Sequence, residues 1–196
     1  MDRAFTLVRH GRSDYNRLGL VNGDPTVAVS LDPEGVEQCR RLAARLAGEE
    51  FDLAIRTRFA RTAESLAIIL DNRDVPVAVY PELDDVHLGV FESRPVEEYR
   101  AWRREHGPDE HPPGEGESRI GALYRYAAGF ARMADEEADR VLAVLHDVPI
   151  RFLANAIQDA DPLDGPVHAV ENASVLVVDE DTLRRGIGVM RDRCGL

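Results

Sequence analysis

Residues 4–13, Ala4-Phe5-Thr6-Leu7-Val8-Arg9-His10-Gly11-Arg12-Ser13, decide how the chain folds. Ala4 to Val8 is a short apolar and β-branched run of the kind that forms a buried strand, and Arg9-His10-Gly11 ends it. A polar, potentially reactive tripeptide directly after a first strand is where an α/β protein places its chemistry, because ligands of open parallel sheets bind beyond the carboxyl ends of the strands.

Working outward, short strand-like runs alternate with longer stretches of helical period. Asp32 caps a helix with Pro33 at its first position; Val36, Cys39, Leu42, Ala43 and Leu46 form its apolar face, and Gly48 closes it. A strand at Leu53 to Ile55 leads into a helix from about Arg58 to Leu70, and Val77 to Tyr80 is the third strand. Pro95 to His106 is helical, and Gly107 to Gly116 is a loop rich in proline, glycine and acid. Ser118 caps a long helix whose face is Ile120, Leu123, Ala127, Phe130 and Ala134. The strand Val141 to Leu145 ends at His146. A short helix from about Val148 to Ala156, turns from Asp159 to Pro166, and strands near Val175 to Val178 and Ile187 to Met190 complete the order. The alternation predicts a single α/β domain over residues 1–196, three α/β/α layers around a mostly parallel sheet.

The chain carries 36 acidic residues against 24 basic ones, a net charge of −12. That balance argues against nucleic acid or an anionic membrane as partner, so any anionic ligand needs a local basic pocket. No apolar run approaches the ~20 residues that span a bilayer, and no leader pattern opens the chain, so a cytoplasmic protein is expected. Cys39 and Cys194 have neither metal-ligand spacing nor the density of a disulfide scaffold, and Cys39 is expected to pack as a small apolar side chain.

His10 and His146 both follow predicted strands, which brings them to one sheet edge despite their distance along the chain. Leu7 to Asn16, with Arg9-His10-Gly11, Ser13 and Asn16, resembles the signature of the histidine phosphatase superfamily, in its phosphoglycerate mutase-like branch. Further pieces are similar in order. They are Leu31 to Gln38, Arg58 to Ala63 as an Arg-Ala-x-x-Thr-Ala segment, Leu83 to Glu92, Glu117-Ser118, Val144 to Arg151 and Asn172-Ala173-Ser174. The resemblance covers nearly the whole chain and implies a phosphoglycerate mutase-like fold.

It also implies a role for each matching residue. His10 is the nucleophile that forms a phosphohistidine. Arg9 and Arg58 are the guanidinium forks for the phosphoryl oxygens, with Asn16, Gly11 and Ser13 beside them, and His146 donates to the same oxygens as an imidazolium. Asp85 stands where the family commonly has a glutamate acid, with Asp84 adjacent to raise its pKa. Asp147 is a rival acid, since a sister branch uses an aspartate directly after its second histidine. The family's serine-proline pair before the arginine is replaced by Ala54-Ile55, and Arg56 or Arg61 either adds positive potential at the rim or is a solvated helix-end charge. His87, His106, His111 and His168 show no ligand spacing with His146-Asp147, so neither a metal nor a cofactor is expected.

The implied activity is a metal-independent phosphomonoester hydrolase acting on a small phosphorylated metabolite. A 2,3-bisphosphoglycerate-dependent phosphoglycerate mutase and a phosphate-binding module with little turnover are the alternatives. The apolar run at Ile187 to Met190, read as an exposed edge strand, makes a homodimer possible.

Overall fold

The computed structural model describes residues 3–195. Strand β1 (Ala4–Arg9) is followed by a one-and-a-half-turn helix α1 (Asp14–Leu18) that the hydrophobic pattern does not announce. Then come α2 (Pro33–Arg45), β2 (Leu53–Arg56), α3 (Ala60–Leu70), β3 (Val77–Val79), α4 (Val96–Glu105), α5 (Arg119–Ala134), β4 (Arg140–Leu145), α6 (Asp147–Ala156), β5 (Val175–Asp179) and α7 (Glu180–Arg193). The sheet order is β3-β2-β4-β1-β5. The first four strands run parallel, and β5 adds antiparallel to the edge of β1.

The central strands are apolar on both faces because helices cover both. Val8, Ala54, Leu142 and Val144 point toward α2 and α3, where Cys39, Leu42, Leu66 and Ile69 meet them. Phe5, Leu7, Ile55, Val141 and Ala143 point the other way, into a larger core with Tyr126 and Phe130 of α5, Leu153 of α6 and Leu183 of α7. This is the three-layer α/β/α arrangement expected, with Cys39 fully buried as an apolar filler.

The parallel register fixes the functional edge. Arg9 pairs with Leu145 and Arg56 with Val144, so His10, Thr57 and His146 emerge side by side one residue beyond three adjacent strands. The backbone holds them there: His10 N–H donates to Leu145 O at 3.0 Å and Ala173 N–H donates to Arg9 O at 2.9 Å.

The segment Ile187 to Met190 is not a strand. It lies inside α7, whose start is set by Asp179, which accepts from Thr182 N–H at 2.7 Å, and by Glu180 and Asp181 in the first turn. Leu183, Gly186, Ile187 and Met190 fall on one buried helical face. Gly186 is what lets α7 approach α6, since a Cβ there would come within 2.7 Å of Ile157 Cγ2 and 2.9 Å of Leu153 Cδ1. The edges of the sheet are β3 and β5 instead, and the exposed-edge argument for a homodimer loses its basis. Among the described residues no helix is long and apolar enough to cross a membrane.

Candidate active site

The turn after β1 is built to bring the backbone close to α2 and α3. Gly11 N–H donates to Ser65 Oγ at 3.0 Å, and a Cβ on Gly11 would lie 2.5 Å from Gly35 O and 2.7 Å from Cys39 Sγ. Gly11 is therefore a close-packing residue. Ser13 caps α1: its Oγ accepts from Asn16 N–H at 3.2 Å, and Asn16 Oδ1 accepts from Ser13 N–H at 3.1 Å. Asn172 donates to His10 O at 3.0 Å and to Asn16 Oδ1 at 3.3 Å. With its oxygen engaged, Asn16 has its amide hydrogens to offer the cavity that it lines with Arg9 and Ser13.

That cavity, about 330 Å³, opens over the carboxyl ends of the strands, a volume suited to a small organic ligand. Arg61 and Asp85 line it, and behind Arg61 the two buried imidazoles stand edge to face, ring centroids 5.4 Å apart. Arg61 lies between them. Its Nε–H donates to His10 Nε2 at 3.0 Å and its Nη2–H to His146 Nδ1 at 3.1 Å.

A guanidinium has only hydrogens to give, so both contacted ring nitrogens must be bare. The tautomers follow. His10 carries its proton on Nδ1 and donates it to Gly11 O at 2.7 Å; His146 carries its proton on Nε2 and donates it to Thr57 Oγ1 at 2.9 Å. Burial, and then the positive charge of Arg61, hold both histidine pKa values well below the ordinary value. The neutral form of His146 replaces the imidazolium expected of it.

Arg61 is 3% exposed, and burial pushes its own pKa down while Asp85 pulls it back up. Asp85 Oδ2 accepts from Arg61 Nη2 at 3.0 Å and lies 3.5 Å from His146 Nδ1. Asn22 holds the other side of the guanidinium through its side-chain and main-chain oxygens. Burial raises the Asp85 pKa despite Arg61. Asp84 is not the cause, because it faces away and is neutralised by Arg58. The loop carrying Asp85 is pinned by Arg125, which donates to Glu82 O at 3.0 Å and Asp84 O at 2.8 Å.

Arg58 is the sequence expectation that the structure does not bring to the histidines. It precedes α3, its side chain is 55% exposed, and its Nε–H binds Asp84 Oδ2 at 2.5 Å. The residue at the site is Arg61, the second residue of α3, where sequence reasoning had weighed only a rim charge. The match to Arg-Ala-x-x-Thr-Ala was read three residues too early. Arg61 and Ser65 keep the arginine-to-hydroxyl spacing of four, and Thr57 then stands four residues before the arginine, where the serine of the serine-proline pair belongs. Thr57 and Ser65 both hydrogen-bond within the site, to His146 and Gly11.

Arg9 lines the same cavity, with one Nη bound to Val170 O and its Nε buried without a partner among the described residues. Asp147 opens α6 and accepts from Val170 N–H at 2.6 Å. It lies 4.0 Å from Arg9 and 3.7 Å from Arg151, so cations flank it and a helix N-terminus faces it. Of the aromatic residues on α4, Tyr99 lines the cavity, whereas Trp102 packs on the core and stacks on His106 at 4.2 Å. No group of three or more His, Cys, Asp or Glu among the described residues is placed to hold a metal ion.

A mostly parallel α/β sheet thus gathers two imidazoles around one buried guanidinium at its carboxyl edge. The family model described as Histidine phosphatase superfamily (branch 1) matches residues 5–192, and the chain belongs to that superfamily. The adenosylcobalamin/alpha-ribazole phosphatase of Escherichia coli (strain K12) is 32% identical over 104 residues, 49% of this chain and 50% of that protein. The match thus spans about half the length of that relative. The 2,3-bisphosphoglycerate-dependent phosphoglycerate mutase of Azorhizobium caulinodans is 28% identical over 181 residues, covering 83% of this chain and 84% of that one. The alpha-ribazole phosphatase of Shigella flexneri has the same fold, with a TM-score of 0.79 at 24% identity over 90% of both chains.

Proposed function

We propose that the chain is a phosphomonoester hydrolase that works through a phosphohistidine on His10 and acts on a small phosphorylated metabolite. The observation that carries this is the convergence of two bare imidazole nitrogens on Arg61. The same guanidinium hydrogens that now face His10 and His146 suit the equatorial oxygens of a transferring phosphoryl group.

In the first step the lone pair on His10 Nε2 forms a bond to phosphorus as the bond to the leaving oxygen breaks. The His10 Nδ1–H, already given to Gly11 O, stays on the ring, and that carbonyl stabilises the positive charge the ring acquires. Asp85, protonated, gives its hydrogen to the leaving oxygen. In the second step water attacks phosphorus, Asp85 as carboxylate takes the water's proton, and the P–N electron pair returns to Nε2 with release of inorganic phosphate. Arg9, Arg61 and Asn16 bind the oxygens. Rapid acid-free quench during turnover of a radiolabelled phosphomonoester is expected to trap an acid-labile, base-stable label on the peptide containing His10. Steady turnover with no such label overturns the reading.

Asp85 is preferred to Asp147 as the acid because burial raises its pKa and its Oδ2 stands 3.5 Å from His146 Nδ1, whereas Asp147 Oδ1 is engaged by Val170 N–H at the start of α6. The sign is that of a raised carboxyl pKa: the proton is present below it, and turnover of alkyl phosphates falls as pH rises through it. Asp85→Asn is expected to slow glycerol 2-phosphate hydrolysis by about 10²-fold or more. It slows p-nitrophenyl phosphate much less, because p-nitrophenolate leaves without a proton. Equal loss on both substrates, or a leaving-group dependence that follows Asp147→Asn instead, removes Asp85 from this role.

A further inference from the structure

The cavity extends outward from Arg61 and Asp85. Its outer wall is made by Arg103 of α4, Arg119 of α5 and Arg151 of α6, beyond Arg9. Among the described residues, two carboxylates lie within 4.0 Å of these four guanidinium groups. Asp164 accepts from Arg119 at 2.7 Å and lies 4.0 Å from Arg103. Asp147 is 4.0 Å from Arg9 and 3.7 Å from Arg151. The Nε atoms of Arg9 and Arg151 are buried without hydrogen-bond partners among the described residues.

A chain with a net charge of −12 has therefore gathered a local positive surplus along one cavity wall, from three helices that have no need to meet there. Arg119 and Arg151 are mostly buried, with side-chain exposures of 14% and 17%, and buried like charges cost stability unless something offsets them. Burial, and then the charges of Arg119 and Arg151, press the Arg103 pKa down. On the Asp164 carboxyl, burial acts upward, and Arg119, Arg103 and Arg151 overcome it to hold that pKa below its ordinary value.

We propose that Arg103, Arg119 and Arg151 form a second anion subsite, so that the substrate is a phosphomonoester carrying another anionic group, a carboxylate or a second phosphate, away from the phosphate that is cleaved. This rests on the phosphatase reading and narrows it to acidic metabolites. Tyr99, Val148 and Phe152 line the same cavity, an apolar surface that suits a short carbon backbone.

Two matched sets test it. Glucose 6-phosphate is compared with 6-phosphogluconate and glucose 1,6-bisphosphate, and glycerol 3-phosphate with 3-phosphoglycerate. Both kcat/KM and, on the non-reacting His10→Ala protein, calorimetric Kd are measured. At least one acidic member is expected to be favoured by about tenfold or more over its uncharged partner, the scale of a hydrogen bond to a charged group. The carboxylate and bisphosphate arms tell which anion is taken. Arg103→Gln and Arg119→Gln, checked for folding by circular dichroism, are each expected to collapse that ratio several-fold, and the half-exposed Arg103 position makes the first a low risk to the fold. Equal treatment of acidic and uncharged members in both sets overturns the subsite while leaving hydrolysis intact, as does a preference that both substitutions leave unchanged. Absent turnover with a retained binding ratio overturns the phosphatase reading and supports the subsite.

Discussion

His10→Ala is expected to lower turnover of p-nitrophenyl phosphate by at least about 10⁴-fold, the scale seen when a nucleophile is removed from a site whose other groups remain. In the proposed mechanism the lone pair on Nε2 is the bond-forming electron pair, and no neighbour can replace it. His146 presents Nδ1 to the same guanidinium but has its other nitrogen committed to Thr57, and Asp85 Oδ2 is held by Arg61 at 3.0 Å. The ring of His10 is buried and makes two polar contacts, to Gly11 O and to Arg61. The backbone bond from His10 N–H to Leu145 O survives the substitution, so β1 and β4 stay in register. The variant is expected to unfold cooperatively and still to bind inorganic phosphate through Arg9 and Arg61. Wild-type turnover in the folded variant removes the histidine mechanism; loss of phosphate binding along with turnover moves His10 from nucleophile to ligand.

The two histidines were legible because each ends a strand that reads clearly in the hydrophobic pattern, and a parallel sheet carries such ends to one edge. The polar network that makes them reactive was only partly legible. Thr57, Arg61 and Ser65 are spaced by four, but a short match at Arg58 to Ala63 shares residue types with the family segment and masks the register. What selects Arg61 is three-dimensional: Ser65 must reach Gly11, and Asp84 captures Arg58. The protonation of His146 was misjudged for the same reason, since a buried guanidinium between the rings was not foreseen. At the C-terminal end, an Ile-Gly-Val-Met run reads as a strand because glycine lowers helix propensity. Packing overrides it, with Gly186 used for contact between α7 and α6. The arginines of the outer wall come from positions 103, 119 and 151 on three helices, and no local pattern links them.

Arg61→Ala and Arg58→Ala separate the two readings of that segment. The first is expected to lower kcat/KM by about 10²- to 10³-fold, the cost of removing one preorganised donor to transition-state charge; the second changes it by no more than about threefold, because Arg58 does not line the cavity, and lowers the unfolding midpoint because the buried Asp84 carboxylate loses its side-chain partner. Arg61 also acts on the histidines themselves. Its charge is the second cause, after burial, that keeps both rings neutral, so its removal lets both pKa values rise toward the ordinary one. In the proposed mechanism neutral His10 is the reactive form, and a higher pKa means that protonation silences it from a higher pH downward. The acidic limb of the kcat/KM profile therefore moves to higher pH in Arg61→Ala and stays in place in Arg58→Ala. Arg61→Lys keeps the charge but not the fork that reaches His10, His146 and Asp85 together, so it is expected to restore the position of the acidic limb more fully than the rate. A rate loss confined to Arg58→Ala, or an unmoved limb in Arg61→Ala, places the phosphoryl charge elsewhere than between the two imidazoles.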